Sequence, residues 1–236
     1  MPAAGLGKRF RPLSEVVPKE LLLLGDRPVL HHALDEAAGS GFAAALVVLA
    51  PWKRPLVERY LHVAGAPLPV AVVEQPEAAG IGDAVLRAAP IAGDGFGILL
   101  PDDVVLGREH WAALRSDEST PGLCFRTVPP GETHRFGIGR VRLGMVQELV
   151  EKPPPGTAPS QLAIFGRYWA TAAVVEALLR RAAAGELGEL ELTYGFASLA
   201  AQGSPVRAVM FAAEIFDCGT PEAYLESQAR WYARPR

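Results

Sequence analysis

Pro2-Ala3-Ala4-Gly5-Leu6-Gly7-Lys8-Arg9-Phe10 opens this chain, and Pro18-Lys19-Glu20 follows within ten residues. Two glycines allow a tight turn that brings bare N–H groups against an anionic ligand. Arg9 offers a planar fork of donors suited to phosphate oxygens, and Lys19 adds a second cation. Taken alone the loop is also compatible with a glycine-rich surface turn carrying a solvated Lys-Arg pair. Its spacing excludes two familiar phosphate loops. A dinucleotide fingerprint needs a third glycine where Phe10 stands, and a Walker A loop needs Ser or Thr where Arg9 follows Gly7-Lys8.

Only Met1 precedes the loop, so the strand that would deliver it is not encoded in this chain. A first strand is therefore expected to be missing, leaving a gap in the sheet beneath the loop, and the true start codon is expected upstream. A central strand contributes ladder hydrogen bonds and buried apolar residues worth roughly 1.5–3 kcal/mol each.

Composition bounds the rest. The chain has 236 residues, half of them hydrophobic, and a net charge of −3. That balance, with no basic cluster carrying interleaved aromatics, argues against a nucleic-acid partner. No apolar run reaches the roughly 18 residues of a membrane helix, and the start has no signal-peptide core, so no membrane partner is expected. Cys124 and Cys218 lie far apart without CxxC spacing, which suggests reduced thiols and a cytoplasmic location.

Apolar runs at Ala44–Leu49, Val70–Val73 and Phe96–Leu100 alternate with helical patterns from Val29 to about Ser40 and near Asp83–Ala89. This implies an α/β fold with a mostly parallel central sheet and helices on both faces. From Gly122 the pattern becomes β-rich: Gly122–Val128, Gly139–Leu143 and Met145–Glu151, with a turn at Gly144, then a strand at Leu162–Trp169. Helices over Ala172–Ala184, after Thr193, and from Pro221 to about Tyr232, with a strand at Val206–Phe211, complete the reading. The chain reads as one domain, 1–236, with a nucleotide-binding part over about 1–105 and a sugar-phosphate-binding part over about 122–236.

Several segments carry candidate chemistry. Leu99-Leu100-Pro101-Asp102-Asp103 puts carboxylates past the C-terminal end of a strand, the edge where open α/β sheets bind ligands. Ile215-Phe216-Asp217-Cys218-Gly219-Thr220 supplies another acid in a tight turn, equally readable as a helix cap. Two separated carboxylates suit Mg²⁺ held jointly with substrate phosphates. Glu151-Lys152-Pro153 closes a strand, with Glu151 able to accept from sugar hydroxyls and Lys152 to hold a phosphate. Glu74-Gln75 followed by Gly80-Ile81-Gly82 combines an amide with a glycine turn, a pairing that can read a nucleobase edge.

These stretches occur in order with Val17-Pro18-Lys19-Glu20, Ala158-Pro159-Ser160, Leu162-Ala163-Ile164, Gly166-Arg167-Tyr168 and Asp217-Cys218-Gly219-Thr220. The ordered set resembles the bacterial UTP–glucose-1-phosphate uridylyltransferases within the sugar-1-phosphate nucleotidylyltransferase family, from Pro2 to about Leu225. The resemblance implies a Rossmann-like nucleotidyltransferase fold with a small β-rich sugar-binding portion, and transfer of uridylyl from UTP to glucose 1-phosphate. It implies that Ala3, Ala4, Gly5, Gly7, Lys8 and Arg9 hold the triphosphate, with Lys19 near the α-phosphate. Gln75 and Gly80 would contact the uracil, and Asp102 and Asp217 would bind Mg²⁺. Gly137 would approach the sugar, Glu151 would bind its hydroxyls and Lys152 its phosphate. Arg9, Lys19, Asp102 and Lys152 are the expected catalytic residues. Relatives commonly form homo-oligomers. Lys8 stands where the family has Thr, Asp83 where it often has His, Gln161 where it has Asn, and Tyr194 where it has Asp. Those departures leave open another nucleotide such as dTTP, another sugar 1-phosphate, or a catalytically weak nucleotide-binding paralogue.

Overall fold

The computed structural model describes residues 1–185 and 188–234. They form two compact units: Met1–Ala78, Leu99–Arg108 and Ala213–Arg236 make the first, and Ala79–Ile98 with Glu109–Ala212 the second. The division does not follow the contiguous halves expected from sequence, because the segment after Ala212 returns to the first unit.

In the first unit, Ala45–Leu49 and Val70–Glu74 pair in parallel, in register from Ala45↔Val70 to Leu49↔Glu74. The helix Val29–Gly39 buries Leu30, Ala33, Leu34 and Ala37. Its Leu30, Leu34 and Ala37 pack with Val47, Leu49 and Ala3 in one apolar cluster. Residues 1–3 run beside the strand Ala45–Leu49 where a gap was expected. The Met1 amino group donates to Leu46 O at 2.7 Å, Val48 N to Met1 O at 2.9 Å, and Ala3 N to Val48 O at 2.8 Å. Pro2 forms a parallel bridge with Val48. The glycine loop therefore leaves directly from a paired backbone.

A second pairing in this unit went unread in the sequence: Asp103–Leu106 lies antiparallel to Glu214–Asp217. The helix Pro221–Ala233 follows, capped by Thr220, whose Oγ1 accepts from Ala223 N at 3.2 Å. Such a cap is worth about 1 kcal/mol. It frees Asp217 from the capping role the sequence also allowed.

The second unit is built on six strands. In spatial order they are Gly95–Leu99, Leu162–Thr171, Gly122–Thr127, Arg207–Met210, Met145–Glu151 and Gly137–Arg142. Arg207–Met210 runs parallel to Gly122–Thr127, whereas the pairings of Leu162–Thr171 with Gly122–Thr127 and Gly137–Arg142, and of Met145–Glu151 with Gly137–Arg142 and Arg207–Met210, are antiparallel, so the sheet is mixed rather than mostly parallel. Two physical reasons account for the difference. Leu143 and Gly144 both adopt positive φ, 51° and 74°, forming a two-residue turn that forces an antiparallel hairpin. Leu162–Thr171 is buried at nearly every position, so it lacks the alternation that marks a half-exposed antiparallel strand. No helix among the described residues is long and apolar enough to cross a membrane.

Candidate active site

In the first unit the loop is shaped by contacts to its carbonyls. Gly7 sits at φ 60°, a left-handed conformation natural to glycine, and a Cβ there would lie 3.0 Å from Ser14 Cβ. Ser14 Oγ donates to Gly7 O at 2.8 Å. Ala3 and Ala4 are buried while Gly5 is exposed. Lys8 and Arg9 are exposed, and neither side chain has a hydrogen-bond or ion-pair partner among the described residues. Both cations are thus available to an anion.

The acid segments meet because the strand register places Asp217 opposite Asp103, and Cys218 N then donates to Asp102 O at 2.7 Å. Asp217 Oδ1 accepts from Gly219 N at 2.7 Å. A Cβ on Gly219 would stand 3.1 Å from Asp217 Oδ1 and 3.6 Å from Asp102 Oδ2. Both carboxylates therefore border one small space that a Cβ on Gly219 would enter. Hard carboxylate oxygens on either side of it suit a small divalent cation that takes its remaining ligands from phosphate and water.

Lys19 Nζ donates to Asp102 Oδ2 at 2.5 Å. Burial alone would lower the Lys19 pKa, but attraction from Asp102, Glu20 and Asp103 outweighs it and holds the ammonium above its ordinary value. Cys218 feels the same charges with the opposite preference. Burial, then Asp217, Asp102 and Asp103, push its thiol up to about 12, so it is an inert neighbour of the acids. Gln75 follows the strand Val70–Glu74 in this unit, with its backbone N on Leu49 O at 2.8 Å, and is only 4% exposed.

In the second unit, Glu151 ends the strand Met145–Glu151 and Lys152 follows it. Glu151 Oε2 accepts from Thr193 Oγ1 at 2.7 Å, and a Cβ on Gly137 would lie 2.8 Å from the same oxygen. Gly137, Glu151 and Thr193 are thus in one cluster, and Thr193 is a member that sequence reasoning passed over. Lys152 Nζ pairs with Glu191 Oε1 at 2.9 Å and Glu151 Oε1 at 3.3 Å. Burial would lower its pKa, but these two acids more than offset that and raise it. Lys152 itself sits at φ 43°, a strained conformation of the kind that clusters at functional positions. Gly80 belongs to this unit too, at φ 97°, and a Cβ there would meet Leu190 O at 2.5 Å.

Of the departures from the family pattern, Asp83 forms an ordinary helix-surface pair with Arg87 at 2.7 Å. The Tyr194 ring lies 4.6 Å from the Arg181 guanidinium. Sequence reasoning passed over Lys53, Ser14 and Glu191. Lys53 reads as a solvated cation in Trp52-Lys53-Arg54, and nothing in its spacing signals burial.

A nucleotidyl transferase family model matches residues 3–233. The chain is 30% identical to the UTP–glucose-1-phosphate uridylyltransferase of Pseudomonas aeruginosa, over 96% of this chain and 92% of that one. It is 34% identical to the enzyme of the same name from Bacillus subtilis, over 82% of this chain and 76% of the relative. The solved UDP-glucose pyrophosphorylase complexed with UDP-glucose superposes with a TM-score of 0.86 at 25% identity, covering 98% and 96% of the two chains. With its acids, cations and glycine loop arranged as described, the chain belongs to the nucleotidyl transferase family, among the relatives of the UTP–glucose-1-phosphate uridylyltransferases.

Proposed function

We propose that the protein transfers the uridylyl group of UTP to glucose 1-phosphate, releasing UDP-glucose and pyrophosphate. An anionic phosphate oxygen of glucose 1-phosphate attacks the α-phosphorus of UTP in line. The new P–O bond forms as the bond to the β-phosphate oxygen breaks, and pyrophosphate leaves with that electron pair. No protein nucleophile is needed. The protein aligns two mutually repelling polyanions and neutralises the charge on them, which is how phosphoryl-transfer sites obtain most of their rate.

In this reading the loop from Ala3 to Gly7, with Lys8 and Arg9, binds the triphosphate, and Lys19 neutralises the α-phosphate. Asp102 and Asp217 would hold Mg²⁺, which would supply further neutralisation of phosphate charge. Lys152 binds the sugar phosphate, and Glu151, steadied by the Thr193 hydroxyl, accepts from sugar hydroxyls beside Gly137. Gln75 and Gly80 contact the uracil. The observation that carries the reading is the convergence of Asp102 and Asp217 over Gly219, with Lys19 on the same Asp102 oxygen, in a chain related along its length to uridylyltransferases.

The test is pyrophosphate release with Mg²⁺, UTP and glucose 1-phosphate, against a panel in which dTTP or another hexose 1-phosphate replaces one substrate. The expected result is fastest turnover with UTP and glucose 1-phosphate. Faster turnover with a swapped pair reassigns the substrate, and no turnover with any pair overturns the reading.

A further inference from the structure

The interior of the first unit holds an ion pair behind the glycine loop, neither member of which is an expected substrate-binding residue. Lys53 and Glu20 have side chains that are each 1% exposed. The Lys53 ammonium contacts Glu20 Oε1 and Oε2 at 3.0 and 2.9 Å, and donates to Ala3 O at 2.8 Å and Gly5 O at 2.7 Å. An ammonium carries three protons, so this one group spends its donors on one carboxylate and two loop carbonyls. Burial lowers the Lys53 pKa, and Glu20 offsets part of that cost.

The loop carbonyls explain why a charge is kept there. In a trans peptide unit, C=O and N–H point in opposite directions. Holding the carbonyls of Ala3 and Gly5 toward Lys53 turns the amides of Ala4 and Leu6 the other way. Ser14 does the same to the next alternate peptide, since its bond to Gly7 O directs the Lys8 amide outward. The amides of Ala4, Leu6 and Lys8 make no hydrogen bond among the described residues. Glu20 also shares one 3₁₀ turn, Lys19–Leu21, with the lysine that contacts Asp102.

We infer that Lys53 and Glu20 are positioning residues: an internal cation, fixed by its carboxylate, grips the loop by its carbonyls so that alternate amides face the polyphosphate. The same turn orients Lys19 toward Asp102. This rests on the reading of the loop as a triphosphate site.

Lys53→Met alone leaves a buried carboxylate without its cation, so the test includes the double variant Lys53→Met/Glu20→Leu, which replaces the pair with apolar side chains. Folding is followed by melting temperature, and binding of inorganic tripolyphosphate and of uridine by calorimetry. Substrate KM values are measured separately. The expected result is a folded double variant whose tripolyphosphate affinity falls, and whose KM for UTP rises, by at least about tenfold. Uridine affinity and the KM for glucose 1-phosphate stay within about twofold of wild type, a split that general destabilisation does not produce. Wild-type tripolyphosphate affinity in the folded double variant overturns the inference, as does a wild-type protein that fails to bind tripolyphosphate. Tripolyphosphate binding involves no reaction, so a wild-type protein that binds it but does not turn over UTP and glucose 1-phosphate overturns the proposed function alone.

Discussion

Lys19 and Lys152 are both cations assigned to phosphates, yet the two units hold them differently. The Lys19 side chain is 17% exposed and bonded to Asp102, beside a Lys53–Glu20 pair that is almost wholly buried. The Lys152 side chain is 55% exposed, on strained backbone, against two acids that are themselves partly open to water. Exposed pairs of that kind contribute roughly 0.2–1 kcal/mol. Lys152 can therefore exchange Glu191 for a ligand phosphate at little cost. In the first unit Lys19 is instead fixed before any ligand arrives, which suits electrostatic stabilisation of a transition state.

The largest expected effect comes from removing one of the converging acids. Asp102→Ala or Asp217→Ala should lower kcat by about a thousandfold or more while the circular dichroism spectrum stays native. Wild-type-like pyrophosphate release in either variant would sink the assignment of both acids. On the second unit, Lys152→Ala should raise the KM for glucose 1-phosphate by about ten- to a hundredfold and leave the melting temperature within a degree or two, because the lost pairs are exposed. A large drop in melting temperature would erase the contrast between the units. Gly137→Ala would place a methyl 2.8 Å from Glu151 Oε2, so the carboxylate must shift. Its expected signature is a rise of about tenfold in the same KM with the UTP value unchanged. An unaltered KM there would separate Glu151 from sugar binding.

The smallest effect is chemical. With a native pKa of about 12 against 9.0 for an ordinary thiol, Cys218 favours the folded state below pH 9 and loses that contribution as pH rises toward 12. Cys124 is buried as well. Both thiols should resist a thiol reagent at pH 8 until the protein is unfolded. Rapid labelling of the native protein would show that the acid segments open to solvent.

Much of this was legible in the residues. The helix Val29–Gly39 and the strand Ala45–Leu49 fall within a residue of their apolar patterns, because burial enforces periodicity. The helix Arg54–Ala64 was not seen: it buries only Val57 fully, and Pro55 sits where a breaker would be read although proline is tolerated in a first turn. The strand Glu214–Asp217 was missed because four residues carry too little pattern. Within the site, the loop and the acids announced themselves through glycine, arginine and paired carboxylates. Lys53 did not, because its role depends on contacts with residues some 33 to 50 positions away.

The pairing of Asp103–Leu106 with Glu214–Asp217 has a consequence for how the protein comes into being. Asp103–Leu106 is made before most of the second unit, and its partner Glu214–Asp217 after all of it, so this acid-bearing strand pair cannot close until the whole of the second unit has left the ribosome. Until then Asp103–Leu106 is an unsatisfied edge, and Val104 lacks the cover of Phe216 and Cys218 that it has in the native cluster. Partially synthesised chains are thus the form most prone to aggregate, and in them Asp102 has no Asp217 to converge with. Arrival of Glu214–Asp217 thus brings Asp217 beside the Asp102 segment in the same step that removes the exposed edge.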